Sequence, residues 1–201
     1  MVVADSAALP PVPGRAGHSR AWIDDVKKVD EALYSAVVRT PTPRLDRSMS
    51  SLSQAANYSR LWIGSAAVLA LVGGNRGRRT AVHGLLAVAA TSAVVNLAVK
   101  RTWRRSRPPR PIDHVPQRYV RMPDSLSFPS GHSAAAFAFA TAVGQGLPVL
   151  AVPVRAAAGL VAYSRVHTGV HYPGDVVVGS MLGTVLAQLT SHALDRYTAS
   201  R

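Results

Sequence analysis

Residues 80–99 read TAVHGLLAVAATSAVVNLAV, twenty positions without a single Asp, Glu, Lys or Arg. Crossing the hydrocarbon core of a bilayer takes about 20 apolar residues in a helix, so this stretch is a candidate span. Working outward, the segments 61–75, 133–154 and 176–194 are also free of charge. The rest of the chain is strongly basic. Its 201 residues carry 23 Lys+Arg against 10 Asp+Glu, a net charge of +13, yet 48% of them are hydrophobic and the mean hydropathy is +0.12. A large positive charge taken alone suits nucleic-acid binding. Cations crowded between long uncharged stretches suit a membrane protein, in which they flank the spans. The distribution decides for an integral membrane protein and against a nucleic-acid partner. The length suits one domain. The lack of cysteine excludes a disulfide scaffold, a cysteine-ligated zinc site and a thiol nucleophile.

The expected fold is all-α: a membrane helical bundle of about five transmembrane helices preceded by N-terminal amphipathic helices. Residues 1–20, with Pro and Gly breakers and no apolar core of a signal peptide, read as a disordered lead-in. Trp22, Val26, Val29, Leu33 and Val37 then recur at helical spacing with acidic and basic residues on the other faces. Pro41 and Pro43 end this helix, and Leu45, Met49 and Leu52 mark a second amphipathic stretch. Such helices suit packing on the domain and lying in the membrane interface equally; the segment 21–56 is assigned to the interface. The membrane domain is expected over 57–195, with spans at 57–74, 80–100, from His132 to the Gly144–Pro148 region, 149–164 and 174–194. Residues 75–79 (NRGRR) read as a tight basic turn, 101–128 as a long polar loop, and 196–201 as a C-terminal tail. Gly179 and Gly183 give the last span a small-residue face for close helix packing.

Three clusters fall at helix ends: Lys100 with Arg107-Pro108; Pro129-Ser130-Gly131-His132; and Ser164-Arg165 with His171 and Asp175. One loop joins the second and third spans and another joins the fourth and fifth, so five alternating spans bring all three clusters to one face. Singly, each has a plain explanation. Lys100 and Arg107 suit interface anchoring, and Ser130 suits helix capping. His167 and His171 stand at i, i+4, but no HExxH glutamate accompanies them and Pro173-Gly174 breaks the segment, so no metal site is expected. His18, His83, His114 and His192 read as ordinary loop, interface or packing residues.

Together the clusters form a pattern: Lys100-x6-Arg107-Pro108, Pro129-Ser130-Gly131-His132 and Ser164-Arg165-x5-His171-x3-Asp175. This resembles the three-part signature of the type 2 phosphatidic acid phosphatase superfamily, which includes lipid phosphatases, acid phosphatases, glucose-6-phosphatase and vanadium haloperoxidases. All eleven positions stand in order, and the resemblance covers residues from about 50 to 195. The membrane members usually have six spans, where this chain shows five plus the amphipathic segments. The resemblance implies that His171 attacks phosphorus and forms a phosphohistidine, that Asp175 holds its other ring nitrogen, and that His132 protonates the leaving alkoxide. It implies no cofactor.

The chemistry of the residues agrees. A phosphate monoester carries nearly two negative charges, spread over equatorial oxygens during transfer. Lys100, Arg107 and Arg165 supply fixed cations, and Ser130 and Gly131 supply donors at a helix N-terminus. Sites at the ends of spans suit a lipid-linked phosphate. Within the resemblance, a polyprenyl-linked substrate such as decaprenylphosphoryl-5-phosphoribose is the leading expectation. Undecaprenyl pyrophosphate, phosphatidylglycerophosphate and phosphatidic acid are the alternatives. A non-enzymatic membrane protein that binds anionic lipid explains the charge but not the spacing of Ser130, His132, His171 and Asp175. Five spans would put 17 of the 23 basic residues on the catalytic side and leave Arg76, Arg78, Arg79, Arg155, Arg196 and Arg201 opposite. Basic residues near spans stay in the cytoplasm, so the active site of this inner-membrane protein is expected to face inward.

Overall fold

The computed structural model describes residues 15–110 and 116–200. Among them the chain is all-helical, with seven helices: α1 (Arg15–Arg39), α2 (Pro43–Ala55), α3 (Arg60–Val72), α4 (Gly74–Thr102), α5 (Gly131–Gly146), α6 (Ala151–His167) and α7 (Pro173–Ala199). The first fourteen residues of the expected lead-in, and His114, lie outside the described residues. Helix α1 starts at Arg15, earlier than the Pro- and Gly-rich composition suggested, and stops before the prolines as expected. Its Trp22, Val26, Val29 and Leu33 are all more than half exposed. The adjoining face, with Asp30 and Tyr34, is buried against the loops that carry the site.

Helices α3 to α7 stand in the five places expected of spans, and among the described residues three of them are long and apolar enough to be candidate membrane spans by length and composition: Gly74–Thr102, Pro148–His167 and Pro173–Ala199. At 1.5 Å per residue, the 13 residues of α3 reach roughly 20 Å and the 16 of α5 roughly 24 Å, short of a hydrocarbon core of about 30 Å. Helix α5 is short for a reason visible in its packing. It is the central helix, touching α4, α6 and α7, and Ala134, Ala135, Ala136, Ala138, Phe139 and Ala140 along it are all buried. A helix wrapped by protein has its polar ends covered by neighbours and is under no obligation to match lipid thickness.

A correction concerns NRGRR. The reversal between α3 and α4 is made by Gly73-Gly74, with Gly74 in the left-handed region at φ +57°, where a glycine costs nothing. Residues 75–79 are therefore the first turns of α4, not a loop. The arginines still find a use. Arg76 donates to the Gly146 carbonyl at the end of α5 (2.8 Å), and Arg78 to the Ala70 carbonyl near the end of α3 (3.4 Å). Both supply donors to carbonyls that a helix terminus leaves unpaired.

The core centres on Phe139, which packs against Trp62 at a ring separation of 5.3 Å, with Val143 and Val161 alongside. Gly179 and Gly183 of α7 face the backbone of α5: a side chain on either would collide with the carbonyl of Ser130 or of Ala134. The small-residue face thus brings the N-terminus of α7 against the N-terminus of α5. That contact positions the second and third clusters relative to one another.

Candidate active site

Helix α4 reaches the site through a π-helical segment, Val95–Val99, directly before Lys100. Such segments are a frequent local distortion at functional sites. The Lys100 ammonium donates to Ser125 Oγ at 3.2 Å. Arg107 reaches the same hydroxyl with Nη2 (3.1 Å) and also donates to the carbonyls of Ser125 (2.8 Å) and Val170 (2.9 Å). Loop contacts from two directions therefore hold the guanidinium in place.

Arg107 Nη1 also lies 3.2 Å from His171 Nε2. A guanidinium can only donate, so Nε2 must present its lone pair there and the ring hydrogen must sit on Nδ1. On that side Ser127 Oγ is 3.4 Å away and Asp175 Oδ2 is 3.5 Å away. Ser127 donates a short hydrogen bond to the same carboxylate oxygen, so it bridges the two residues. Asp175 Oδ2 also accepts the Tyr172 backbone N–H (3.0 Å), which closes the first turn of α7. Burial, reinforced by the nearby charges of Arg107 and Arg165 and opposed by the Asp175 hydrogen bond, pushes the His171 imidazole down to about 4. His171 is a neutral base with a fixed tautomer.

Ser130 caps α5. Its Oγ accepts from the Ser133 N–H (3.3 Å) and Ser133 Oγ (2.9 Å), while its own N–H donates to the Asp175 carbonyl (2.9 Å). That N–H is therefore spent on tying α5 to α7. This corrects the expectation that it points at a phosphate, although the hydroxyl hydrogen remains to donate. His132 Nε2 lies 3.0 Å from Asn57 Oδ1. Asn57 opens a tight turn in which Tyr58 and Ser59 both adopt positive φ, 54° and 57°, a costly conformation for side-chain-bearing residues. Arg165 is 1% exposed; its Nη1 donates to Ser53 O (3.2 Å) and Ser53 Oγ (2.6 Å), and its Nε has no partner among the described residues.

The expected residues thus converge. Lys100, Arg107, Gly131, His132 and His171 line one cleft of about 270 Å³, with Ser130, Arg165 and Asp175 fully buried behind its wall. His167 does not join His171 as a ligand pair; its Nε2 bonds Asp46 Oδ1 at 2.9 Å.

Several residues around the site carried no signal in the sequence. Arg105 bridges Asp175 Oδ1 (3.0 Å) and Asp30 Oδ2 (2.7 Å), with its guanidinium 4.0 Å from the centre of the Tyr172 ring. Asp30 in turn accepts the Gly174 N–H at 2.7 Å, so α1 is bonded to the start of α7. Arg118 donates to Asp46 (2.6 Å), Thr40 O (2.6 Å), Thr42 Oγ1 (2.7 Å) and the Val38 carbonyl (2.9 Å). It fastens the first loop to the α1–α2 junction. Their partners are far away in sequence, which is why Ser127, Asn57, Arg105 and Arg118 read as ordinary polar residues.

A family profile described as the PAP2 superfamily matches residues 81–199, which include the whole convergent set. The chain belongs to the PAP2 superfamily. It falls in the membrane lipid phosphatase branch, and PAP2 phosphatases are phosphoric monoester hydrolases. Two relatives named decaprenylphosphoryl-5-phosphoribose phosphatase support the placement. The one from Mycobacterium tuberculosis is 36% identical over 166 residues, 79% of this chain and 84% of its own. The one from Mycolicibacterium smegmatis is 36% identical over 163 residues, 78% and 84% respectively. Among solved PAP2-type structures, the phosphatidylglycerolphosphate phosphatase from Bacillus subtilis aligns with a TM-score of 0.63 at 28% identity, over 86% of this chain and 87% of that one. LpxE from Aquifex aeolicus aligns with a TM-score of 0.66 at 23% identity, over 82% and 95%, and shares the fold.

Proposed function

We propose that this protein hydrolyses the phosphate monoester of a lipid-linked substrate through a phosphohistidine, and that the substrate is a polyprenyl-linked sugar phosphate such as decaprenylphosphoryl-5-phosphoribose. One observation carries the reading. Lys100 and Arg107 line the cleft with the buried Arg165 behind its wall, and among the described residues none of the three has a carboxylate within ion-pair distance. Uncompensated cations out of bulk water are costly; a dianionic phosphate offsets them. The choice of a sugar-bearing polyprenyl phosphate rests on the relatives' names.

In this reaction the phosphate takes the place of Ser125 against Lys100 and Arg107, and Arg107 Nη1 turns from His171 Nε2 to a phosphate oxygen, which frees the Nε2 lone pair. That nitrogen attacks phosphorus as the bond to the leaving oxygen breaks, and His132 gives the leaving alkoxide its proton. Asp175, through Nδ1 and Ser127, offsets the imidazolium charge that develops. A water then attacks phosphorus, the P–N bond breaks, His132 recovers a proton, and inorganic phosphate leaves. Arg165, the Gly131 N–H and the Ser130 hydroxyl hold the equatorial oxygens. No step calls for a metal or other cofactor.

The membrane domain, 57–195, would sit with its catalytic loops at the cytoplasmic leaflet. With Lys100, Arg107 and Arg165 set aside, that side still holds 14 basic residues against 6 opposite. The open apolar face of α1, over the segment 21–56, would lie on the bilayer surface. Single cysteines at Ser106 and Ser200, labelled in intact cells with an impermeant maleimide, test this: modification at 106 alone overturns the orientation, and modification at both overturns the alternation of spans.

The decisive test of the activity is phosphate release by purified protein in EDTA, from a panel holding decaprenylphosphoryl-5-phosphoribose, undecaprenyl pyrophosphate, phosphatidylglycerophosphate and phosphatidic acid. Preference for the first, inhibition by vanadate, and a phosphoenzyme trapped by a rapid alkaline quench and absent from His171→Ala are the expected results. Turnover that stops in EDTA and returns with magnesium overturns the mechanism. Preference for a glycerolipid phosphate overturns the substrate.

A further inference from the structure

Beyond its charged end, the cleft continues along helix α4 as a polar strip. Ser92, Asn96 and Lys100 are spaced four residues apart, and all three line it. Four residues is about one helical turn, so the three share a face. Asn96 stands at the lip of the phosphate site: a Cβ placed on Gly131 would lie 3.9 Å from Asn96 Oδ1 and 3.9 Å from Lys100 Nζ. The opposite wall brings Ser59, on the strained turn whose Asn57 holds His132.

Asn96 is exposed, one turn before Lys100, and its amide opens to the cleft and not to a packed helix neighbour. On α7 the hydroxyls of Ser180 and Thr184 bond the carbonyls of Val176 and Ser180 within their own helix, while on α4 the buried Thr91 hydroxyl has no partner among the described residues. The side chains of Asn96, Ser92 and Ser59 make no such bond among the described residues. They line the cleft, where their donors and acceptors are open to a bound group. The strip is also neutral. Among the described residues the Lys and Arg lining this cleft are Lys100 and Arg107, at the phosphate end. A second phosphate bound here would demand cations, and the apolar lining, Ala56, Tyr58, Pro123 and Ala135, stands beside the polar strip without replacing it.

We propose that Asn96, Ser92 and Ser59 form a leaving-group subsite that hydrogen-bonds the hydroxyls of a sugar next to the scissile phosphate. Its position fits the chemistry: the leaving oxygen must face His132, and Ser59 is two residues from the Asn57 that bonds His132. The subsite makes the protein a reader of hydroxylated leaving groups, with Asn96 as its main discriminating residue. This rests on the phosphatase reading above and adds a selectivity that the phosphate site does not require.

The test is a ratio of kcat/KM for two synthetic substrates with the same short prenyl chain: a prenylphosphoryl-ribose 5-phosphate and its 2,3-dideoxyribose counterpart. The wild-type protein should favour the hydroxylated one. Asn96→Ala should lower the ratio about five- to tenfold, the loss of a hydrogen bond to a neutral partner, and Ser92→Ala should lower it further in the double variant. Because the readout is a ratio, a general loss of activity or of folded protein leaves it unmoved. A wild-type protein that treats both sugars alike overturns the subsite while leaving the phosphatase reading intact. So does an Asn96→Ala ratio equal to the wild type's. A wild-type protein that cleaves neither sugar phosphate but does cleave phosphatidylglycerophosphate overturns the reading beneath it.

Discussion

Replacing Arg105 by Met tests the bridge from Asp30 to Asp175 without touching the cleft, which Arg105 does not line. Asp175 is fully buried, and its Oδ1 takes its side-chain hydrogen bond from Arg105 Nη1 at 3.0 Å; Ser127 and the Tyr172 N–H serve Oδ2. Methionine keeps much of the stem that covers Tyr172 but leaves Oδ1 unpaired. A hydrogen bond to a buried charged group contributes about 1.5–3 kcal/mol. The Arg105 side chain is 27% exposed, so the lower half of that range applies. If Asp175 holds His171 in the attacking tautomer, the loss falls on the transition state. Each 1.36 kcal/mol is tenfold in rate, so kcat should drop about 10- to 50-fold with KM little changed. Steady-state kinetics on a soluble phosphate monoester and on a lipid phosphate measure it directly. Asp30→Asn, which weakens only the far end of the bridge, should give a smaller drop of the same kind. A KM rise at constant kcat, or a kcat within twofold of wild type, refutes the idea that the bridge acts through Asp175.

Three further outcomes are expected. Arg118→Met leaves Asp46 buried without its guanidinium, a change that costs roughly 3 kcal/mol or more; at about 2–4 °C per kcal/mol for a chain this size, thermal unfolding in detergent should fall by about 6–12 °C, and Asp46→Asn in the same chain should recover part of it. The His171 imidazole, held down first by burial and then by Arg107 and Arg165, should stay neutral in a 15N-histidine NMR titration until the pH falls to about 4; Arg107→Gln removes a charge that disfavours protonation, so the midpoint should move upward. Gly183→Leu places a side chain into the Ala134 carbonyl and should abolish stable expression, whereas Gly64→Leu, on a helix face with open space, should be tolerated in the same fluorescence-detected size-exclusion assay.

The local features of this protein are legible in the linear chain. Uncharged stretches mark the membrane helices because the cost of a charge in hydrocarbon is set residue by residue. Lys100, Arg107, Ser130, His132, Arg165, His171 and Asp175 are recognisable because most of each cluster sits within one or two turns. What the chain could not announce depends on partners far apart in sequence. His132 meets Asn57 across 75 residues, Asp175 meets Arg105 across 70, and Asp30 meets Gly174 across 144. None of these pairs has a spacing of its own; helix packing alone creates them. The same holds for helix placement. A run of small apolar residues marks α5 as a helix, but that it is the central one follows from its alanines letting α4, α6 and α7 close around it. Residues 75–79 read as a turn by their charge, yet they are helical because Gly73-Gly74 had already reversed the chain. Hydropathy registers what each residue would pay in lipid; only the packed bundle settles which residues face lipid, which face each other, and which are left to face a substrate.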